Sequence, residues 1–118
     1  FPGGMTKFTI RFDPVSQRYL TLCNNNTDAR FPGQRNILSL AVADTLREWR
    51  VVKQLLDDDT GLPWDLSVRL TGFQYVDWQF DGDDLLYLVR TAYRGAHTFH
   101  DANRLVFHRL RNFRAYLV

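Results

Sequence analysis

Apolar and polar residues alternate along most of this chain in short runs, a pattern that predicts strands rather than helices. Residues 6–12 alternate and predict a first strand. Asp13-Pro14-Val15-Ser16-Gln17 predicts a turn, because proline fixes φ and an aspartate side chain can close an Asx turn. Residues 18–23 predict the returning strand. Residues 24–34 predict a polar loop, with consecutive asparagines and a Pro-Gly pair. Residues 36–43 and 49–56 predict the third and fourth strands, joined at 44–48 by a short turn with helical character. Residues 57–72 predict an irregular connection, broken by Asp57-Asp58-Asp59, Gly61 and Pro63. Its apolar members Leu62, Trp64, Leu66, Val68 and Leu70 are expected to pack over something. Residues 73–80 and 85–91 then predict a hairpin around Asp81-Gly82-Asp83. A loop at 93–101 follows, with two last strands at 103–109 and 114–118.

The pattern repeats at an offset of about 65 residues, a period typical of stacked or radially arranged units. Phe12-Asp13 and the strand through Leu20 and Leu22 are echoed by Phe80-Asp81 and the strand through Leu86 and Leu88. Asn36-Ile37-Leu38-Ser39-Leu40 is echoed by Asn103-Arg104-Leu105-Val106-Phe107, and Leu46-Arg47-Glu48-Trp49-Arg50 by Leu110-Arg111-Asn112-Phe113-Arg114. The expected class is all-β, with two units of four antiparallel strands (residues 1–56 and 73–118) and a connection between them (57–72). Four-stranded units of this kind are the blades of β-propellers, which close with about four to eight of them. Two blades do not close, so further blades, in a longer chain or by self-association, are the expected partners. An eight-stranded sandwich of two related sheets is the alternative.

Composition narrows the function classes. Aromatic residues make up 14% of the 118, which favours β structure. The formal net charge is +2 and the signs are mixed, with no basic block to track a phosphate backbone, so no nucleic-acid partner is expected. No apolar run approaches a membrane span, so no membrane partner is expected. Cys23 is the single cysteine, which excludes an intrachain disulfide and a cysteine-based zinc site. It leaves the compartment open, secreted and periplasmic locations included. Phe1-Pro2-Gly3-Gly4 does not read as a signal peptide, and without an initiator methionine the chain reads as a piece of something longer. No cofactor is expected.

Ala43-Asp44-Thr45-Leu46-Arg47-Glu48-Trp49 resembles the Ser-x-Asp-Leu-x-x-Trp element of propeller glycosidases. The second half adds Tyr75-Val76-Asp77-Trp78, Phe80-Asp81-Gly82-Asp83-Asp84, Arg90-Thr91-Ala92-Tyr93 and His100-Asp101-Ala102-Asn103. Together these segments resemble the sialidase-like (BNR-repeat) propeller proteins of bacteria. The Asp-box of sialidases, Ser-x-Asp-x-Gly-x-Thr-Trp, stands in neither turn. The resemblance implies an incomplete propeller of a five- or six-bladed type. It also implies a carbohydrate substrate at the central channel and exo-acting hydrolysis of a terminal glycosidic bond.

Several side chains fit such chemistry. In a propeller the first strand of each blade lines the channel, which brings in Asp77, Tyr75 and, in the first unit, Lys7. A carboxylate flanked by aromatics is expected to be poorly solvated, which suits Asp77 to general-acid work. The other reading has Asp77 bonding backbone amides at a blade junction. Arg90 and Arg35 stand at rim positions, where a guanidinium can clamp a sugar carboxylate or make a structural ion pair. His100 can move a proton near neutral pH, with Asp101 to orient it and Asn103 to bind sugar hydroxyls. His97, His100 and Asp101 are also potential metal ligands, but the spacing lacks a further well-placed donor and no metal is expected. Sialidases use a tyrosine nucleophile, for which Tyr75 and Tyr93 are the candidates once a base stands beside one of them. A non-catalytic carbohydrate-binding or structural propeller fragment is the competing reading.

Overall fold

Among the described residues, seven strands pair into two antiparallel meanders. The computed structural model describes residues 1–3 and 6–118. In the first sheet β1 (Ile10–Asp13), β2 (Arg18–Cys23), β3 (Leu38–Ala43) and β4 (Arg50–Leu56) lie in chain order. A helix, α1 (Trp64–Leu70), leads to the second sheet of β5 (Gly72–Asp81), β6 (Asp84–Ala92) and β7 (Arg104–Leu110). A single 3-10 turn, Phe113–Tyr116, ends the chain's regular structure. The protein is thus mostly β, and the first three strands of each half repeat the same topology.

One core lies between the sheets. Leu20, Leu22, Leu38, Leu40 and Val42 come from alternate positions of β2 and β3. Phe73, Trp78, Leu85, Tyr87 and Val89 come from β5 and β6, and Phe113 and Leu117 close one end. The period of two in a strand sends these residues to one face, and each large apolar side chain so buried contributes roughly 1.5–3 kcal/mol. All six residues of β3 are buried, so this strand is covered on both faces. Cys23 lies on the face of β2 turned away from this core, and burial pushes its thiol up to about 12.

Hydrogen bonds between the sheets fix their relation. The Trp78 indole donates to the Thr9 carbonyl at 3.1 Å, and Arg11 Nε donates to the Trp78 carbonyl at 2.9 Å. Asn24 Nδ2 donates to the Ile37 and Phe73 carbonyls at 2.9 and 2.6 Å. The β1–β2 turn is held by Asp13, whose carboxylate accepts from the Val15 and Ser16 amides, the Ser16 hydroxyl and the Arg114 guanidinium.

The second unit departs from the expected four strands. Residues 114–118 form no strand. Phe113 and Leu117 are the buried positions, four apart, which is the spacing of a helical turn, and Asn112 in the left-handed region (φ 50°) redirects the chain. The connection at 57–72 contains α1. Its adjacent buried pair, Ser67 and Val68, lies on one helical face, and Asp65 and Arg69 stand at the ends that the helix dipole favours. The first strand is shorter than residues 6–12, starting at Ile10. The third starts at Leu38, because Asn36 turns its side chain to Ser67 Oγ at 2.8 Å. The 44–48 turn has no helix; the Trp49 indole closes it by donating to the Leu46 carbonyl at 3.0 Å. No helix among the described residues is long and apolar enough to cross a membrane.

Candidate functional site

The β5–β6 ladder carries one extra residue between Gln74, which pairs with Arg90, and Asp77, which pairs with Leu88. A bulge of this kind re-aims side chains. Tyr75 sits in it at φ 51°, a conformation that costs an aromatic residue energy and that functional sites tend to retain. Its ring is 39% exposed and becomes the hub of a cluster.

Three cations surround that ring. Lys7 Nζ lies 5.0 Å from its centroid, and the guanidinium carbons of Arg90 and Arg35 lie 5.5 and 6.0 Å away. Cations over an aromatic face are attracted by its quadrupole. None of the three joins an ion pair among the described residues. Arg35 donates from Nη1 to Gln74 Oε1 and stacks on Phe99 at 5.4 Å, while its buried Nε has no partner among the described residues. A buried donor left open costs about 1–3 kcal/mol, so an acceptor arriving there is rewarded.

The loop before β7 supplies a fourth group. The Tyr75 hydroxyl lies 3.5 Å from His100 Nε2, with the rings edge to face at 6.2 Å. Gln74, almost fully buried, holds this loop by donating Nε2 to the Phe99 and His100 carbonyls at 3.0 and 2.9 Å. Gly72 admits it: a Cβ there would lie 2.4 Å from the Phe99 oxygen.

Lys7 and Tyr75 also line an open cleft of about 460 Å³ with Phe8, Thr9, Val76 and Asp77. Asp77 shares this cleft with Tyr75, and His100 is not among the residues that line it. Asp77 is not desolvated as expected. Its side chain is 86% exposed, because the bulge and β5 turn it outward, and its nearest ionic partner is Arg11 Nη2 at 3.9 Å. It bonds no backbone amide at a sheet junction among the described residues.

The remaining candidates stand apart. The Tyr93 hydroxyl donates to Asp59, its ring carries Arg104 at 4.5 Å, and the Asp59 bond raises the phenol above its ordinary value. That holds Tyr93 protonated, tying the 57–59 segment to the loop. Asn103 spends its side chain on the same loop, accepting from the Tyr93 amide and donating to the Tyr93 and Arg94 carbonyls. Asp101 makes no hydrogen bond to His100 among the described residues; its amide donates to Thr98 Oγ1. Among the described residues, no three of His, Cys, Asp and Glu gather as a metal site.

Sequence reasoning passed over Gln74, Phe99 and Gly72. The one signal for them was an uncharged polar residue, Gln74, in an apolar–aromatic strand. No family model, curated protein or solved structure matches this chain.

Proposed function

We propose that the Tyr75 cluster binds the carboxylate of an acidic sugar, and that the two sheets are blades of a sialidase-like propeller whose ligand lies along the β1 and β5 edges. The observation that carries this reading is the gathering of Lys7, Arg35 and Arg90, all without carboxylate partners among the described residues, around one aromatic ring. A sugar carboxylate would receive charge-assisted hydrogen bonds from the arginines, and its ring would stack on Tyr75.

Hydrolysis of a terminal glycosidic bond extends this reading. His100 Nε2, 3.5 Å from the Tyr75 hydroxyl, would accept its proton as the phenolate oxygen attacks the anomeric carbon, and water would then release the sugar from Tyr75. Asp77, facing the same cleft, is the carboxyl available to protonate the departing oxygen. The exposure of Asp77 favours a second reading, recognition of the glycan without turnover. Tyr93, Asn103 and Asp101 serve the loop in either case.

Titration with a carboxylated monosaccharide and its neutral alcohol analogue tests the site. The acid should bind more tightly, and Arg90→Ala or Arg35→Met should weaken it about tenfold or more, as loss of a charge-assisted contact does. Equal affinity for the two sugars overturns the reading. Turnover of an aryl glycoside that falls in Tyr75→Phe and Asp77→Asn, with binding retained, separates hydrolysis from recognition.

A further inference from the structure

Guanidinium groups taken out of water are ordinarily paired with carboxylates, in a two-point contact that cancels the charge. Arg35 is held differently. Its backbone carbonyl accepts from the Phe73 amide at 2.7 Å, which ties the residue to the start of β5. Its half-buried side chain donates to the amide oxygen of Gln74, the next residue of that strand. Gln74 is 1% exposed, and across the ladder it pairs with Arg90. A neutral side chain thus neighbours two of the three cations at the Tyr75 ring, bonded to one and opposite the other.

The surroundings of that amide fix which way round it stands. Its Nε2 donates to the Phe99 and His100 carbonyls at 3.0 and 2.9 Å. A carbonyl only accepts and a guanidinium only donates. Turning the amide over would set its oxygen against two carbonyls and its NH2 against the guanidinium, and every one of these hydrogen bonds would be lost. Phe99 completes the unit: its ring stacks on the Arg35 guanidinium at 5.4 Å, and its amide donates to the Arg69 carbonyl at 2.7 Å. One group therefore fixes both Arg35 and the loop that carries His100. Neither bond removes charge, and no carboxylate among the described residues pairs with Arg35.

We propose that Gln74 is the positioning residue that makes the Tyr75 site selective for anions: its amide orients Arg35 and leaves the full charge to a ligand carboxylate. The inference rests on the acidic-sugar reading and names the group on which its selectivity depends. Position 74 has to offer an uncharged acceptor toward Arg35 and a donor toward the loop. Glutamate, which matches glutamine in shape, meets neither need. Its carboxylate would pair with Arg35, lie opposite Arg90 and face two carbonyls with no proton to offer.

Titrating the wild type, Gln74→Glu and Gln74→Met with a carboxylated monosaccharide and its neutral alcohol analogue reads selectivity as a ratio of affinities. Gln74→Glu should lower the acid-to-alcohol ratio about tenfold or more, the size of a lost charge-assisted contact. Gln74→Met breaks the same hydrogen bonds but adds no negative charge, so its ratio should fall less. Equal ratios in the two variants overturn the proposal, because the amide then only holds the loop. So does a Gln74→Glu ratio equal to that of the wild type. Thermal melts check that the variants fold. If Gln74→Glu does not, Gln74→Met is combined with Arg35→Met. A residue acting through Arg35 should change the ratio no further once Arg35 is gone, and additive losses overturn the proposal. A wild type that binds both sugars equally sinks the acidic-sugar reading and this inference with it. A wild type that prefers the acid leaves that reading standing whichever way the variants fall.

Discussion

Asp13 is fully buried, yet it stays charged because five donors converge on its carboxylate. The Arg114 guanidinium, first among them, holds it well below its ordinary value of 3.8, and the Ser16 hydroxyl and two backbone amides add to this against the cost of burial. Arg114 in turn reaches Asp83 at 2.8 Å, so one guanidinium ties the turn of the first sheet to the hairpin turn of the second. A depressed carboxyl stabilises the folded state fully above its unfolded value and loses that contribution as pH falls below about 4 toward the folded value. Asp13→Asn should cost about 3 kcal/mol at neutral pH, in line with breaking a buried pair. It should also flatten the acid limb of a stability–pH curve measured by urea titration. An unchanged acid limb would mean that another group governs acid unfolding.

At the scale of elements, the loop bearing His100 is fitted to the start of β5. Gly72 leaves the space that the Phe99 carbonyl occupies, and Gln74 supplies the two donors that hold the loop down. Gly72→Ala puts a methyl against backbone atoms at 2.4 and 3.2 Å, which cannot yield as a side-chain tip would. We expect a loss of about 1–3 kcal/mol, the usual cost of overpacking. On the acidic-sugar proposal, weaker binding should accompany it through displacement of the loop, and denaturation curves beside a ligand titration measure both.

The same scale marks where the chain was legible. The hairpin at Asp81-Gly82-Asp83 was readable because Gly82 meets a positive φ (58°) between two alternating runs. β2 and β6 were readable because each is a short apolar run beside a turn signal, residues 19–23 broken only by Thr21 and residues 85–89 unbroken. α1 was not: Leu66, Val68 and Leu70 mimic a period of two, while the adjacent Ser67 and Val68 are what the fold buries. The terminal turn was missed for the same reason, its signal being only Phe113 and Leu117.

In the whole molecule, the two halves are not independent bodies. The Cα radius of gyration of 14.0 Å is close to the roughly 13.5 Å expected of one compact domain of this length. Each sheet supplies one wall of a shared core, so neither wall is buried without the other. The two antiparallel meanders could be read from the chain, although the second lacks the fourth strand expected of it. The convergence on Tyr75 could not, because it depends on a bulge and on Lys7 and Arg35 arriving from the other sheet.

Cys23 gives this architecture a built-in clock. A thiol that ionises only near 12 and has no path to solvent is inert to alkylating reagents while the strands around it are in place. Labelling at pH 8 should therefore track the population of the globally open state, with a denaturant dependence equal to that of equilibrium unfolding. Mass spectrometry of the labelled chain measures both, and labelling faster than this would reveal a private fluctuation that loosens β2 alone.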